Sequence, residues 1–386
     1  MFSDVKRDEV YLSRLAECIA RHYGLEAESI TPAKRGYYGE TWKLRANGKA
    51  YFLKLSYAYL HKDTYENSLH IVDYLCAHGI DFIGEIIKTT NGALSVRFDS
   101  AVLGIFAWID GDNVQNEQTK IAEYQMLAKV YTVPCDGLSL GTKSDFTENP
   151  PTGIVSAETA LAGATSAEFD LTETDLTKAL LAGIASAKST FIDHISAKPV
   201  SAEILPTEDF SAACADLFFT QCETLRGMQD NTAADLLRLF AAHEAEIAHY
   251  AERLRYFSRK CRADFSHFHI THGDAGGNIL QNGDRFSLVD WDSPLFAPPE
   301  RDAWFCMHWD WAMRAFHDAL RQNGISYKLQ PERLAYYCYH FFFFYLTVYL
   351  ETFFELPQCR EEIVRDCAEY FPGWITDSLR FADTIV

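Results

Sequence analysis

The sequence predicts an α+β fold, in which a small antiparallel sheet comes first and a mainly helical part follows. Two observations predict this order. Near the N-terminus, an Asn-Gly pair between alternating apolar runs occurs twice, and this dipeptide is the strongest short-range signal for a β-hairpin. Beyond about residue 111, the period of the apolar residues becomes helical.

The N-terminal elements can be predicted in chain order. Apolar residues from Leu12 to Tyr23 share one face of an amphipathic helix. The two hairpins follow, with their turns at residues 47–48 and 91–92. Between them, the segment TYENSLHIVDYLCAHGI predicts a helix that ends at Gly79, because glycine is suited to the end of a helix. A hairpin, a helix and a second hairpin would build a small sheet with one helix packed on it.

The helical part is interrupted by a segment of different composition. Residues from about 134 to 206 are rich in Ala, Ser, Thr and Gly, and predict an insertion or lid, with a disordered linker as the alternative. Residues 233–257 then predict one long amphipathic helix. Residues 336–355 predict a buried aromatic helix, since their apolar run of about ten residues is too short to cross a membrane. We expect an N-terminal lobe over residues 1–106 and a helical C-terminal lobe over residues 107–386.

Composition restricts the classes of function. Acidic residues outnumber basic residues by 54 to 35, and a net charge of −19 repels nucleic acid and anionic membranes and favours a cationic partner. The ten cysteines include no C-x-x-C pair, which indicates reduced thiols, and the first residues lack the apolar core of a secretion signal. We therefore expect a cytoplasmic protein that contacts neither nucleic acid nor membrane. The sequence leaves its oligomeric state open.

One Gly-rich turn, THGDAGGNIL at residues 271–280, concentrates polar chemistry. A short strand precedes it, and a third Asn-Gly hairpin, NILQNGDRFSLVDWD, is expected to bring Asp290 and Asp292 back beside Asp274 and Asn278. Carboxylate and amide oxygens are the hard ligands that Mg²⁺ prefers, and Mg²⁺ commonly binds substrate phosphates as well. The alternative is a turn whose side chains only cap backbone groups.

Phosphoryl transfer also needs a lysine on a strand to bind the phosphates of the nucleotide. Lys54, in YFLKL, is the candidate. Because a lysine in an apolar strand is costly unless it is paired, Glu66 on the following helix is its predicted partner. The alternative is a solvent-facing lysine on a half-exposed strand.

The segments HGDAGGNIL and LVDWDSPLFAPPERDAWF resemble the catalytic signature of the aminoglycoside phosphotransferase and choline kinase superfamily. Within it they are most similar, together with YFLKLSYAY and WIDGDN, to the spectinomycin phosphotransferases. The resemblance covers roughly residues 10–132 and 233–355. It implies a two-lobed, protein-kinase-like fold with the nucleotide site between the lobes.

The resemblance also implies a role for each candidate residue. Asp274 becomes the catalytic base, and Asn278 and Asp290 become the ligands of Mg²⁺. Lys54 and Glu66 become the ion pair that positions the phosphates of the nucleotide.

Further positions follow from the same resemblance. The backbone at Ala107 and Ile109 is expected to contact adenine, and Asp302 is expected to brace the catalytic loop. The loop departs from the usual pattern, because three residues rather than four separate Asp274 from Asn278.

The function that the resemblance implies is a phosphotransferase that depends on ATP, or GTP, and Mg²⁺ and phosphorylates a hydroxyl of a small, cationic molecule. An aminoglycoside or aminocyclitol antibiotic such as spectinomycin is the expected acceptor, and choline, an amino alcohol or a sugar are the alternatives. The late aromatic residues could bind a cationic acceptor or belong to the core; they are Trp304, Trp309, Trp311 and Tyr336, with Asp310 among them.

The opposing class is a non-catalytic, kinase-like protein that only binds nucleotide. The joint presence of Asp274, Asp290 and Lys54 argues against it, because a binding module needs no base, metal ligand and phosphate-binding lysine at once.

Overall fold

The structure, a computed structural model, confirms the α+β prediction. A five-stranded antiparallel sheet lies near the N-terminus, and the later part of the chain is mainly helical. The residues that the structure describes are 7–33, 39–57, 62–136, 138–142, 204–371, 373 and 375–385.

Most of the N-terminal elements surround one small apolar core, whereas the helix Lys62–Ala77 packs its buried side chains into the larger core of the later elements. In chain order the N-terminal elements are α1 (Glu9–Tyr23), β1 (Ala27–Pro32), β2 (Gly39–Ala46), β3 (Lys49–Ser56), α2 (Lys62–Ala77), β4 (Ser95–Phe98) and β5 (Ala101–Ala107). The strand order is β1-β2-β3-β5-β4. The predicted first helix begins where the Asp8 carboxylate accepts a hydrogen bond from the Tyr11 N–H, and it ends at Gly24, whose φ is 66°.

The first predicted hairpin is confirmed. Strands β2 and β3 are joined by Asn47 and Gly48, which both have positive φ, at 51° and 70°. This backbone conformation is that of the tight hairpin turns which favour Asn-Gly, and its twist matches that of the flanking strands. The hairpin places Lys54 opposite Thr41 on one side and opposite Gly104 of β5 on the other, so Lys54 lies on the central strand of the sheet.

The second predicted hairpin has its turn in a different place. Residues 91–92 form only a local turn, in which the Thr89 N–H donates to the carbonyl of Ala93 at 2.8 Å. The segments on both sides of that turn pair with β5 rather than with each other, through the Ile86–Phe106 bridge and through β4. The hairpin turn between β4 and β5 lies instead at Asp99, which has a φ of 50°.

The later elements form the larger part of the molecule and share a second core. They are α3 (Glu117–Val130), β6 (Ser139–Thr142), β7 (Ile204–Thr207), α4 (Ala213–Arg226), α5 (Asn231–Ala242), α6 (Glu244–Cys261), β8 (His269–Thr271), β9 (Ile279–Asn282), β10 (Arg285–Leu288), β11 (Leu295–Ala297), α7 (Glu300–Ala303), α8 (Asp310–Gln322), α9 (Pro331–Glu355), α10 (Arg360–Tyr370) and α11 (Thr376–Asp383). Strands β6, β7, β11 and β8 form a small mixed sheet, and β9 and β10 form the predicted third hairpin.

The prediction of one long helix over residues 233–257 is wrong, because α5 and α6 are separate helices. The chain leaves helical geometry at His243, with φ −111° and ψ 17°. The His243 ring stacks on Phe371 with a centroid distance of 4.3 Å, and it lies 2.7 Å from the Glu246 carboxylate. Contacts with a distant part of the chain accompany this break, and a local sequence pattern does not reveal them.

Two other segments can be compared with their predictions. Residues 336–355 lie in α9, whose aromatic side chains are largely buried, as predicted. Strands β6 and β7 lie at the two ends of the Ala/Ser/Thr-rich segment and pair in parallel. Residues 143–203, which lie between these strands in the sequence, are outside the described part of the chain. None of the helices that the structure describes is long and apolar enough to cross a membrane.

Candidate active site

The polar turn follows β8 directly, and Asp302 holds its backbone. One oxygen of the Asp302 carboxylate accepts the N–H of His272 at 3.1 Å, and the other accepts the N–H of Gly273 at 2.6 Å. The Tyr131 hydroxyl donates to the same carboxylate at 2.8 Å. The geometry matches the bracing role expected of Asp302. These hydrogen bonds fix the backbone directly before Asp274, the next residue of the turn.

The Asp274 side chain is exposed to solvent, although many protein atoms lie close around it. The Asn278 amide nitrogen donates to the Asp274 backbone carbonyl at 2.6 Å, and the Tyr345 hydroxyl lies 3.5 Å from the carboxylate. Burial, together with the nearby charge of Asp290, raises the pKa of Asp274 to about 7. A carboxylate with a pKa near neutrality is suited to act as a general base.

Lys54 joins the N-terminal sheet to the segment after β10. Its ammonium group lies 2.5 Å from an oxygen of Asp290 and also contacts Asp292. Burial would lower the pKa of Lys54, but the two carboxylates outweigh burial and raise it. Lys54 is therefore a buried, charged and paired lysine, and not the solvent-facing one of the alternative interpretation.

The structure does not pair Lys54 with Glu66. The Glu66 carboxylate lies 3.3 Å from the guanidinium of Arg97. Helix α2 turns Tyr65 toward the sheet instead, and the Tyr65 hydroxyl donates to the backbone carbonyl of Lys54 at 3.3 Å. Tyr65 also fills the space above Gly104, where an added Cβ would lie 2.6 Å from the hydroxyl. Because successive residues point about 100° apart around a helix, Glu66 then faces the direction of β4.

Asp290 has a backbone φ of 66°, in the left-handed region that non-glycine residues rarely adopt. Such strain persists where the surroundings fix the conformation, and it is concentrated at functional sites. Burial alone would raise the pKa of Asp290, but the Lys54 ammonium outweighs it and holds this pKa below its usual value. At Asp292 burial prevails, and the pKa is raised.

The donor set fits a hard cation. The Asn278 amide nitrogen is committed to Asp274, so the amide oxygen is the atom that a metal would contact. Asp290 supplies carboxylate oxygens on the facing segment. Among the residues that the structure describes, no three His, Cys, Asp or Glu side chains converge as a metal cluster. A Mg²⁺ ion bound here would take its remaining ligands from water and from substrate phosphates, as Mg²⁺ generally does.

The two residues expected at adenine lie at the end of β5 and just after it. The Ala107 N–H donates to the carbonyl of Glu85 at 2.8 Å, and the Trp108 N–H donates to the carbonyl of Ala50 at 3.3 Å. These two bonds use neither the Ala107 carbonyl nor the Ile109 N–H.

Two residues at the site were missed by sequence reasoning. The Asn113 amide donates to the carbonyl of Gly277, inside the shortened loop between Asp274 and Asn278. Tyr345, on α9, reaches Asp274 from a position 71 residues away. Asn113 belongs to the WIDGDN segment, so its place in that motif was a signal, whereas Tyr345 stood in an aromatic run that gave none.

The aromatic residues considered for the acceptor divide into two groups. Tyr336 is fully buried and Trp304 is 5% exposed, so both belong to the core. Trp309 is 44% exposed and stacks on Trp311 with a centroid distance of 5.9 Å. Asp310 lies between these two residues in the chain and is exposed. Only this second group offers an accessible aromatic and acidic surface.

Solved structures of antibiotic phosphotransferases share this architecture. A spectinomycin phosphotransferase in complex with ADP and spectinomycin matches with a TM-score of 0.63 at 18% identity, over 96% of this chain and 98% of that one. Its AMP-bound complex matches with a TM-score of 0.62 at 18% identity, over 95% and 97%. A thermostable mutant of an aminoglycoside phosphotransferase, in a ternary complex with AMP-PNP and hygromycin B, has a TM-score of 0.50 at 14% identity, over 96% and 98%.

These similarities establish the fold. No protein-family model and no curated protein sequence matches the chain. The chain nevertheless has the kinase-like α+β fold of the aminoglycoside phosphotransferases along nearly its whole length, which confirms the predicted fold class.

Proposed function

We propose that the chain is a phosphotransferase that depends on ATP, or GTP, and Mg²⁺ and phosphorylates a hydroxyl of a small molecule. The observation that carries this proposal is the convergence of Lys54 with Asp290 and Asp292, next to the turn that holds Asp274 and Asn278. Phosphoryl transfer needs this combination of groups. The fold shared with antibiotic phosphotransferases is the second support.

Each residue would have one task. The Asp274 carboxylate accepts the proton of the acceptor hydroxyl while the hydroxyl oxygen forms a bond to the terminal phosphorus of the nucleotide. The bond from that phosphorus to the bridging oxygen breaks, and the nucleoside diphosphate leaves. Lys54 binds phosphate oxygens of the nucleotide, and Asn278 and Asp290 would hold Mg²⁺. When bound, Mg²⁺ would offset the negative charge of the phosphates. Glu66, paired with Arg97 in this structure, is not assigned to the phosphates.

The nucleotide would lie between an N-terminal lobe of residues 1–106 and a C-terminal lobe of residues 107–386. The base of the nucleotide would accept a hydrogen bond from the Ile109 N–H and donate one to the Ala107 carbonyl. Both residues lie at the junction of the proposed lobes, and Lys54 of the sheet already reaches across to Asp290.

For the acceptor we propose a cationic molecule, with an aminocyclitol such as spectinomycin as the first compound to test. The net charge of −19 attracts cations, and the exposed surface of Trp309, Asp310 and Trp311 combines aromatic rings with a carboxylate. One solved structure with this fold holds spectinomycin. Choline, amino alcohols and sugars are the alternative acceptors.

A screen of nucleotide consumption tests the proposal. The protein is incubated with Mg·ATP or Mg·GTP and a panel of aminocyclitols, aminoglycosides, choline, amino alcohols and sugars. We expect at least one acceptor to be phosphorylated, and Asp274→Asn to lower kcat by about 10³-fold with unchanged nucleotide affinity, since the base acts on the acceptor. Asp284→Asn, in the exposed turn of the β9–β10 hairpin, is the matched control and should retain full activity. Nucleotide binding without transfer to any acceptor would favour the non-catalytic class.

A further inference from the structure

A buried arginine lies directly behind the polar turn. Arg301, on α7, is 8% exposed. One terminal nitrogen of its guanidinium donates to the Thr271 hydroxyl at 2.9 Å, and the other donates to the backbone carbonyl of Ser293 at 2.9 Å. Thr271 lies three residues before Asp274, and Ser293 lies three residues after Asp290. A single guanidinium therefore connects the segment of the candidate base with the segment of the candidate metal ligand.

The Arg301 guanidinium also packs directly against the turn. Gly273 has a φ of 84°, and a Cβ added to it would lie 2.1 Å from a terminal nitrogen of Arg301. The Arg301 head therefore occupies the space that a side chain at Gly273 would need. No carboxylate in the described part of the chain forms an ion pair with Arg301. A buried charge with only neutral partners is costly, and its hydrogen-bonded partners here both belong to the site segments.

We propose that Arg301 is a positioning residue for phosphoryl transfer, which holds the Asp274 turn in register with the Asp290 segment. This inference rests on the proposed function. Asp302 fixes the backbone of the turn from one side, through the N–H groups of His272 and Gly273. Arg301 has the different task of fixing the turn relative to the second segment, on which Asp290 lies.

The chemistry of arginine suits this task. A guanidinium presents several donors in a rigid plane, so it can hold two acceptors on different segments at a fixed separation, whereas a lysine presents one flexible ammonium. The separation matters because a displacement of about 1 Å between reacting groups can lower the rate of a reaction by about 100-fold. Loss of the Arg301 guanidinium would remove its bonds to Thr271 and Ser293 together, without removing any group that contacts nucleotide or acceptor. Thr271 would keep its pairing with Leu295 and the bond from its hydroxyl to the Leu295 carbonyl.

The test uses the full chain with the acceptor found in the screen. We expect Arg301→Gln to lower kcat by about 100-fold while KM for ATP changes less than about threefold, because alignment is lost and nucleotide contacts remain. Arg301→Lys should recover only part of the rate. Thr271→Val removes one of the two Arg301 bonds, together with the bond from the Thr271 hydroxyl to the Leu295 carbonyl, and should lose less than Arg301→Gln. Arg321→Gln is the control, since that side chain is 74% exposed on α8. Thermal unfolding reports whether each variant is folded.

A double-mutant cycle with Asp274→Asn separates positioning from a general structural role. If Arg301 acts through Asp274, Arg301→Gln should cause little further loss of the residual rate in the Asp274→Asn background. Equal losses in both backgrounds, or unchanged kcat in Arg301→Gln and Thr271→Val, would overturn the inference and leave the proposed function intact. A wild-type protein that binds nucleotide but phosphorylates none of the acceptors would instead contradict the proposed function, and this inference with it.

Discussion

Lys54 and Glu66 are the residues at which the family resemblance and the structure disagree. The structure pairs Lys54 with Asp290 and Asp292, whereas Glu66 contacts Arg97. We expect Lys54→Met to raise KM for ATP at least tenfold and to lower the free energy of unfolding by about 1 to 3 kcal/mol. This loss of stability is smaller than for a fully buried ion pair, because the two carboxylates keep some contact with solvent.

Glu66→Gln is the discriminating comparison. It should change KM for ATP by less than about threefold, because an exposed ion pair with Arg97 contributes little. Initial rates at varied ATP and chemical denaturation measure both quantities. A Glu66→Gln variant as impaired as Lys54→Met would restore the pairing that the resemblance implies.

Asp290 allows the metal assignment to be tested without disturbing the backbone. Its φ of 66° is a conformation that asparagine adopts more readily than most residues, so Asp290→Asn removes the charge and keeps the local geometry. We expect the affinity for ATP to fall at least tenfold in the presence of Mg²⁺, and the difference from wild type to shrink when Mg²⁺ is removed. Calorimetry with and without Mg²⁺ measures this. An equal loss under both conditions would assign Asp290 to another role.

The sequence predicted which residues form the candidate site better than it predicted which of them form ion pairs with each other. Asp274, Asn278 and Asp290 were identified from polar residues next to predicted strands, and Lys54 was identified from its position inside an apolar strand. The structure brings all four to one region. Which acid pairs with Lys54 depends on the rotation of α2 about its axis. That rotation accompanies the packing of Tyr65 against the sheet, a contact between elements that a sequence pattern does not contain.

At the scale of elements, a short sequence motif predicted the structure correctly only where the segments on its two sides pair with each other. The turn at residues 47–48 joins two strands that pair with each other, so Asn-Gly predicted the hairpin correctly. The same dipeptide at residues 91–92 also forms a turn, but the apolar strand β5 pairs with both of its flanks. The long helix predicted over residues 233–257 is divided at His243, whose ring stacks on the distant Phe371.

Helix α9 contains a carboxylate whose protonation should affect stability. Burial, and then the nearby charge of Glu355, raise the pKa of Glu351 to about 7. A carboxyl group with a raised pKa in the folded state favours folding when it is protonated, so its contribution is fully present below pH 4.5 and is lost as the pH rises through about 7. Glu351→Gln should therefore leave stability unchanged at pH 4 and increase it at pH 8, by at most about 3 kcal/mol.

Denaturation at both pH values measures this difference. Glu361→Gln, on the exposed face of α10, is the control for the loss of one negative charge from a highly acidic protein. A gain in stability of the same size for both variants, or an equal gain at pH 4 and pH 8, would show that general charge repulsion and not the burial of Glu351 is responsible.

At the scale of the whole molecule, the Ala/Ser/Thr-rich segment is expected to serve the acceptor rather than the nucleotide. It connects the parallel strands β6 and β7, and a parallel connection needs roughly a dozen residues or more. We therefore expect replacement of residues 146–200 by a Gly/Ser linker of about 15 residues to preserve folding and KM for ATP within about twofold, and to raise KM for the acceptor about tenfold. Steady-state kinetics in both substrates measures this, and equal effects on the two KM values would assign the segment to the scaffold.

The net charge of −19 belongs to the molecule as a whole, and it should act on the two substrates in opposite directions. A cationic acceptor is attracted by this field, whereas Mg·ATP is repelled. Salt shortens the range of both effects, since the Debye length falls from about 10 Å at 0.1 M to about 3 Å at 1 M.

We therefore expect kcat/KM for a cationic acceptor to fall about tenfold between 0.05 and 0.5 M salt, and kcat/KM for ATP to stay level or rise. A neutral sugar, if it is turned over, should show no dependence on salt. These opposite signs exclude a general loss of activity in salt, because such a loss would lower both values together. A neutral acceptor that is used faster than every aminated one, with no dependence on salt, would contradict the cationic acceptor and leave the phosphotransferase assignment standing.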